Sequence, residues 1–236
     1  MRNFAYLPKI SNYLSGVQRL LKFIRSNSVF IIPYAFLAVF LIPVFILVSK
    51  NSLHLLINRY NLPLADFSFK YLTFLGDGFT PFVIAFIFLF FSFRKTIEVA
   101  TAGSLAGLIG QFLKRIVFPG IKRPYAIFKD LPDFHLVQGV DMHSSFSFPS
   151  GHAATIFATC FILAGFTSNK PLKFILFLVA LLVGFSRVYL SQHFLIDMYA
   201  GSFIGILSAL AIFIIFDRLQ AEWLDSSLLK VLKINR

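Results

Sequence analysis

The chain has 236 residues, 58% of them hydrophobic and 32 of them phenylalanine, above the roughly 45–50% apolar content of ordinary soluble domains, which excludes a soluble globular protein and points to the membrane. The formal net charge of +12 does not imply nucleic acid, because the basic residues stand at the ends of apolar runs, where anionic headgroups attract them. The one cysteine, Cys160, lies in an apolar run, which excludes an intramolecular disulfide and reads as a small core residue.

From the amino terminus, residues 1–27 carry Arg2, Lys9, Arg19, Lys22 and Arg25 among Phe4, Tyr6, Leu7, Ile10, Tyr13 and Leu14. This pattern fits an amphipathic helix on the membrane surface, or else a flexible basic tail. The apolar stretch from Val29 to Ser49 exceeds the roughly 7–15-residue core of a secretory signal and reads as a retained anchor. Apolar segments near 78–93, 97–113, 153–167, 172–190 and 196–216 bring the expected count to six spans, several close to the roughly 20 residues that cross the hydrocarbon. Glu98, Thr101, Ser104 and Gln111 interrupt the third, while Gly103, Gly107 and Gly110 give it a small-residue face for packing inside the bundle.

The expected fold is therefore all-α, a six-span transmembrane bundle over residues 28–217 with the amphipathic segment before it and a basic tail, 218–236, after it. The longer connections are 50–77 and 114–150. In the first, Leu75-Gly76-Asp77-Gly78 reads as a turn opening the second span, with Asp77 able to approach a pocket there. Six spans put both termini on one side, together with 13 of the 22 basic residues, so the positive-inside rule makes that side cytoplasmic. The 114–150 loop and the starts of the fourth and sixth spans then face outward, and Lys114, Arg123, His152, Arg187 and His193 share one depth. This layout is that of a multi-pass plasma (inner) membrane protein with its site on the extracytoplasmic face.

Pro149-Ser150-Gly151-His152 reads as a helix start, with Ser150 near the cap, Gly151 allowing close backbone approach and His152 in the first turn. Free N–H groups at such an end attract an anion. Alone, the four residues are better read as a capped helix with an interfacial histidine. The stretch Ser186-Arg187 to His193 and Asp197 changes that balance. An i,i+4 pair on a helix shares one face, so Asp197 can hold one imidazole nitrogen of His193 and leave the other free to attack. Arg187 adds a planar cation suited to phosphate oxygens, and ionisable groups beside apolar spans are costly enough to be kept for function. Lys114-Arg115 and Lys122-Arg123-Pro124 flank a Pro119-Gly120 turn, so two cations can grip one phosphate, although a basic pair beside a membrane is more often simply solvated.

These clusters resemble the motifs of the type 2 phosphatidic acid phosphatase family, which shares its core with vanadium haloperoxidases: Lys-x6-Arg-Pro, Pro-Ser-Gly-His and Ser-Arg-x5-His-x3-Asp. The second and third match throughout. The first departs, because Lys114-x8-Arg123-Pro124 is two residues longer and the family spacing falls on Ile116, which leaves the lysine role open between Lys114 and Arg115. The resemblance covers roughly residues 78–216 and implies a membrane-embedded lipid phosphatase. In it His193 attacks phosphorus, Asp197 orients it, and His152 protonates the departing alkoxide before activating water. Lys114, Arg123, Ser150, the Gly151 amide and Arg187 would cradle the phosphate oxygens. No metal and no other cofactor is implied; the partners are the bilayer and a lipid phosphate or diphosphate, and the oligomeric state is unread. A neutral His193 with a protonated His152 implies a bell-shaped pH profile. The same phosphohistidine would equally serve a lipid phosphotransferase, and a non-catalytic headgroup-binding protein would need the cations but not the nucleophile. His54, His135 and His143 read as scattered loop residues.

Overall fold

A computed structural model describes residues 7–219 and 221–234, so Arg2, Phe4 and Tyr6 of the amino-terminal segment lie outside the described residues. Among the described residues all regular structure is helical: α1 Leu7–Ser26, α2 Ser28–Leu47, α3 Lys50–Arg59, α4 Pro63–Leu72, α5 Thr80–Leu89, α6 Phe93–Phe112, α7 Pro124–Phe128, α8 Gly151–Gly165, α9 Lys170–Tyr189, α10 Leu195–Arg218 and α11 Leu228–Ile234. A π-helical turn, Leu113–Val117, continues α6, and three-ten turns occupy Thr73–Gly76 and Glu222–Asp225.

Four helices are long and apolar enough to cross a membrane: α2, α6 with its π-turn, α9 and α10. The expected second span is not a single helix over 78–93. α5 has ten residues, and only the pair Pro63–Gly76 and Thr80–Leu89, bent by 61°, reaches a span's length. The bend falls where Pro81 opens α5, since proline lacks an N–H and fits the first turn of a helix but not its interior. The 50–77 connection, expected as a loop, likewise folds into α3 and α4; Ser49 caps α3 by accepting the Ser52 N–H, and Pro63 starts α4.

The short α8 is the axis of the bundle. Eleven of its 15 residues are buried, from Ala153 to Ala164, and α6, α9 and α10 enclose it. A helix apolar on every side must be covered on every side. By contrast α2 turns Ile32, Phe36, Ile46 and Leu47 outward, the face a helix presents to lipid rather than to water. The chain is a multi-pass membrane protein.

α10 presses on α8 through Gly201 and Gly205, where an added Cβ would stand 2.4 Å from the Ser150 carbonyl oxygen and 2.5 Å from that of Ala154. Backbone oxygens cannot step aside, so Gly205→Ala is expected to destabilise by about 1–3 kcal/mol through overpacking. The readout is the thermal midpoint in detergent; an unchanged midpoint would show that α10 has slack. Gly107 and Gly110 of α6 face Thr155 and Gly151 of α8 more loosely, a Cβ at either standing 3.6 Å from its neighbour. At the end of the bundle where α1 meets the carboxyl half of α10, Phe23 stacks on Phe213 at 3.9 Å and Arg19 Nε meets Asp217 at 2.7 Å, docking the second half of α1 on α10. Leu7–Ser26 is thus a helix rather than a flexible tail.

Candidate active site

At the opposite end, the carboxyl ends of α6 and α9 meet the amino ends of α8 and α10. Ser150 caps α8, its hydroxyl accepting the Ala153 N–H at 3.4 Å, while its own N–H donates to the Asp197 carbonyl at 3.0 Å. That second bond fastens the starts of α8 and α10 together. Lys114 Nζ comes within 3.9 Å of where a Cβ on Gly151 would stand, so the lysine charge lies beside the amide end of α8, the place a helix favours an anion.

Past α9 the chain reverses at Ser191, whose φ of +55° is in the left-handed region, a conformation uncommon outside glycine. The turn lets the Gln192 and His193 N–H groups both donate to the Arg187 carbonyl at 3.0 Å. The expected helical pairing of His193 with Asp197 is not what forms. His193 precedes α10 and Asp197 lies in its first turn, because Asp197 Oδ2 accepts the Phe194 N–H at 2.9 Å and so closes the helix start. The same oxygen accepts the Ser147 hydroxyl at 2.5 Å and stands 3.4 Å from His193 Nδ1. Nε2 is then the edge of His193 left for a reactant.

Burial holds the His193 imidazole well below the ordinary histidine range, and the charges of Arg123, Arg187, Lys114 and His152 act in the same direction. A lowered pKa favours the neutral ring, so His193 is expected to stay neutral as pH falls through 6.5, the ordinary histidine value. Nitrogen NMR of histidine-labelled protein, assigned with His193→Gln, checks this; a midpoint at or above that value would refute it.

Three cations surround the ring. Buried Arg123 spends Nε on the Ser145 carbonyl at 2.9 Å and Nη1 on Gln192 Oε1 at 2.7 Å, and Gln192 Nε2 donates in turn to the Asp141 carbonyl at 2.9 Å. Arg187 Nη1 donates to Thr73 Oγ1 at 2.8 Å, while its buried Nε has no hydrogen-bond partner among the described residues. An unpaired buried guanidinium N–H is a place for an anion. The π-helical turn decides the third cation: it rolls Lys114 inward to 6% exposure and leaves Ile116 outside at 67%, with Arg115 exposed beside it. Such one-turn π segments widen a helix by a residue and recur at functional sites. A cavity of about 250 Å³ opens here, lined by Lys114, Arg115, Arg123, His143 and the 144–146 stretch.

His152, half-buried in the first turn of α8, meets Asp77 with Nε2 2.8 Å from Oδ1. That hydrogen bond holds the Asp77 carboxyl below the usual carboxylate range. Thus all eight residues singled out in the sequence gather at one end of the bundle. Ser147, Gln192 and Thr73 were not foreseen: Gln192 sits at an unspecified position of the third motif, and the other two carry no spacing signal. His54 is not a loop residue. It is buried in α3, where burial pushes it down to about 4, and its Nε2 pairs with the Ser191 hydroxyl at 3.2 Å to brace the turn before His193. His135 Nε2 lies 3.0 Å from Asp66, which also accepts the Tyr189 hydroxyl, so this histidine ties its loop to α4 and α9. Among the described residues no group of three or more His, Cys, Asp or Glu side chains is placed to hold a metal ion. The assembled groups can grip a tetrahedral oxyanion and present a neutral nitrogen to its central atom.

The model of the PAP2 superfamily matches residues 95–221. The bacitracin transport permease protein BcrC of Bacillus licheniformis is 28% identical over 109 residues, 46% of this chain and 51% of that protein, so the chain spans about half its length. A lipid A 4'-phosphatase of Porphyromonas gingivalis is 27% identical over 193 residues, 78% of this chain and 79% of that protein. The crystal structure of Aquifex aeolicus LpxE superposes with a TM-score of 0.59 at 30% identity, covering 68% of this chain and 92% of the other.

Proposed function

Because the chain belongs to the PAP2 superfamily, over half of it matching that family's model, we propose that it is an integral-membrane phosphatase acting on a lipid phosphomonoester or diphosphate. One observation carries the reading: His193, buried and backed by Asp197, is ringed by Arg123, Arg187 and Lys114. The alignment with a lipid A 4'-phosphatase over most of this chain supports a phosphorylated lipid as substrate.

In the first step the His193 Nε2 lone pair forms an N–P bond as the O–P bond to the lipid breaks, and imidazolium His152 gives its proton to the departing alkoxide. In the second, neutral His152 takes a proton from water while the water oxygen attacks phosphorus. The N–P bond breaks, inorganic phosphate leaves, and both histidines return to their starting forms. Asp197 orients His193. Lys114, Arg123, Arg187, the Ser150 hydroxyl and the Gly151 amide hold the phosphoryl oxygens and neutralise the charge that a divalent ion would otherwise offset, so no metal is required.

We further read the bent pair ending in α5 as the fifth span and α8 as the sixth, beside the four long helices, within a core of residues 28–217. The excess of basic residues on the side of the termini then places that side in the cytoplasm, with residues 1–27 on the membrane surface, 218–236 as a basic tail and the site facing outward. The test uses detergent-purified protein with a chelator and a panel of phosphatidate, phosphatidylglycerophosphate, undecaprenyl diphosphate and lipid A phosphates. Release of inorganic phosphate from at least one is expected; silence across the panel, or a strict need for magnesium, would sink the proposal. Label arriving on an added hydroxyl acceptor in place of free phosphate would make the protein a phosphotransferase. Vanadate, which adopts the five-coordinate geometry of attacked phosphorus, is expected to inhibit competitively, and insensitivity to it would speak against the phosphohistidine.

A further inference from the structure

The catalytic reading rests on residues 114–197, yet the site has another wall: the turn Thr73–Asp77 between α4 and α5, which precedes the stretch matched by the superfamily model. Three contacts put it there. Thr73 Oγ1 accepts from Arg187 Nη1 at 2.8 Å. Gly76 lies against the His152 ring, where a Cβ would stand 2.9 Å from His152 Cβ and 3.2 Å from Cδ2, so glycine alone allows the approach. Asp77 then turns its Oδ1 to His152 Nε2 at 2.8 Å. Its backbone is fixed from both sides, its N–H donating to the Phe74 carbonyl at 3.1 Å and its carbonyl accepting the Thr80 N–H at 3.0 Å. The carboxylate is therefore aimed, not draped.

Resting on the reading of His152 as general acid, we propose that Asp77 is its positioning residue, holding the imidazole in its proton-donating form and aimed at the oxygen that leaves phosphorus. The charged and titratable groups facing His152 are Asp77 from the turn, Arg187 from α9, Lys114 from α6 and His193 ahead of α10. Burial and both cations disfavour the imidazolium, and Asp77 alone among these groups favours it, since an adjacent opposite charge supports the ionised form. With one N–H held by Asp77, the imidazolium keeps its other N–H for the departing alkoxide, and Asp77 itself neither gains nor loses a proton.

The experiment compares Asp77→Asn and Asp77→Glu with the wild type on two substrates: a lipid alkyl phosphate, whose alkoxide must be protonated to leave, and p-nitrophenyl phosphate, whose phenolate leaves unaided. Asp77→Asn is expected to lower kcat on the alkyl phosphate by roughly 10- to 100-fold, part of the ~10²–10⁴ that a general acid contributes, with a several-fold smaller loss on p-nitrophenyl phosphate. The alkaline limb of its kcat profile should move to lower pH, because removing the counter-charge releases the proton earlier, and Asp77→Glu should recover part of both effects. Equal losses on the two substrates, a change confined to KM, or an unmoved alkaline limb would each overturn the proposal, while residual p-nitrophenyl phosphate turnover certifies the fold. His193→Ala run alongside separates the two levels. If the wild type releases no phosphate, or His193→Ala still does, the catalytic reading fails and not the role of Asp77 within it.

Discussion

Replacing His193 by alanine is expected to lower phosphate release by more than about a thousandfold, the scale on which enzymes lose rate when a covalent nucleophile is removed. The size follows from how little else at the site can attack phosphorus. The imidazole is 1% exposed, its Nδ1 side faces Asp197, and Arg123, Arg187 and Lys114 act on it by charge. Water admitted by the shorter side chain would meet the same oxyanion cradle but no poised base in line with phosphorus, so binding should survive while turnover does not. Quenching wild-type protein in alkali during turnover of radiolabelled lipid phosphate should trap label on the chain, since phosphohistidine is stable in base and labile in acid, and the label should vanish in His193→Ala. The weaker variant Asp197→Asn should fall by about 10²–10⁴, as expected for a group that acts through an imidazole, because its oxygen also closes the start of α10 and receives the Ser147 hydroxyl. Full turnover by His193→Ala would remove the assigned nucleophile altogether.

The sequence made the chemistry easier to read than the architecture. His152, Arg187, His193 and Asp197 declare themselves by type and spacing, because phosphoryl transfer needs those groups at short chain separations. Their partners do not. Thr73 reaches Arg187 across 114 positions and Ser147 reaches Asp197 across 50, and a lone hydroxyl at that distance leaves no local pattern. The helical pairing expected of His193 and Asp197 gave way to a capped turn because an i,i+4 spacing is satisfied as well by a residue before a helix as by one inside it. Hydropathy alone overstated the second span. It averages over residues 78–93, where the helix runs only from Thr80 to Leu89, whereas the Leu75-Gly76-Asp77-Gly78 turn was legible from its glycines, and that turn is what carries Asp77 to His152. Apolar content finds membrane segments well and their interruptions poorly, although interrupted backbone at membrane depth is tolerated chiefly where it lines a site.

The first motif gives the second large effect. Lys114→Ala is expected to reduce kcat/KM by about 10²–10³, the range for deleting one preorganised donor to a developing oxyanion, whereas Arg115→Ala should change it less than about threefold, as for a solvated surface charge. Spacing alone favours neither residue, since the interval that the family pattern asks for ends on Ile116. Geometry separates them. The widened turn Leu113–Val117 spends an extra residue inside the helix, so that Lys114 is buried beside Gly151 while Arg115, though it borders the cavity, is exposed and Ile116 looks outward. Lys114→Arg should not restore activity, because a planar guanidinium spreads its donors in a wide fork where the ammonium is a compact point charge. Phosphate release measured for the three variants on one lipid phosphate decides the matter. A large loss in Arg115→Ala with a small one in Lys114→Ala would mean that the π-turn rewinds when substrate binds, and would transfer the phosphate contact to Arg115.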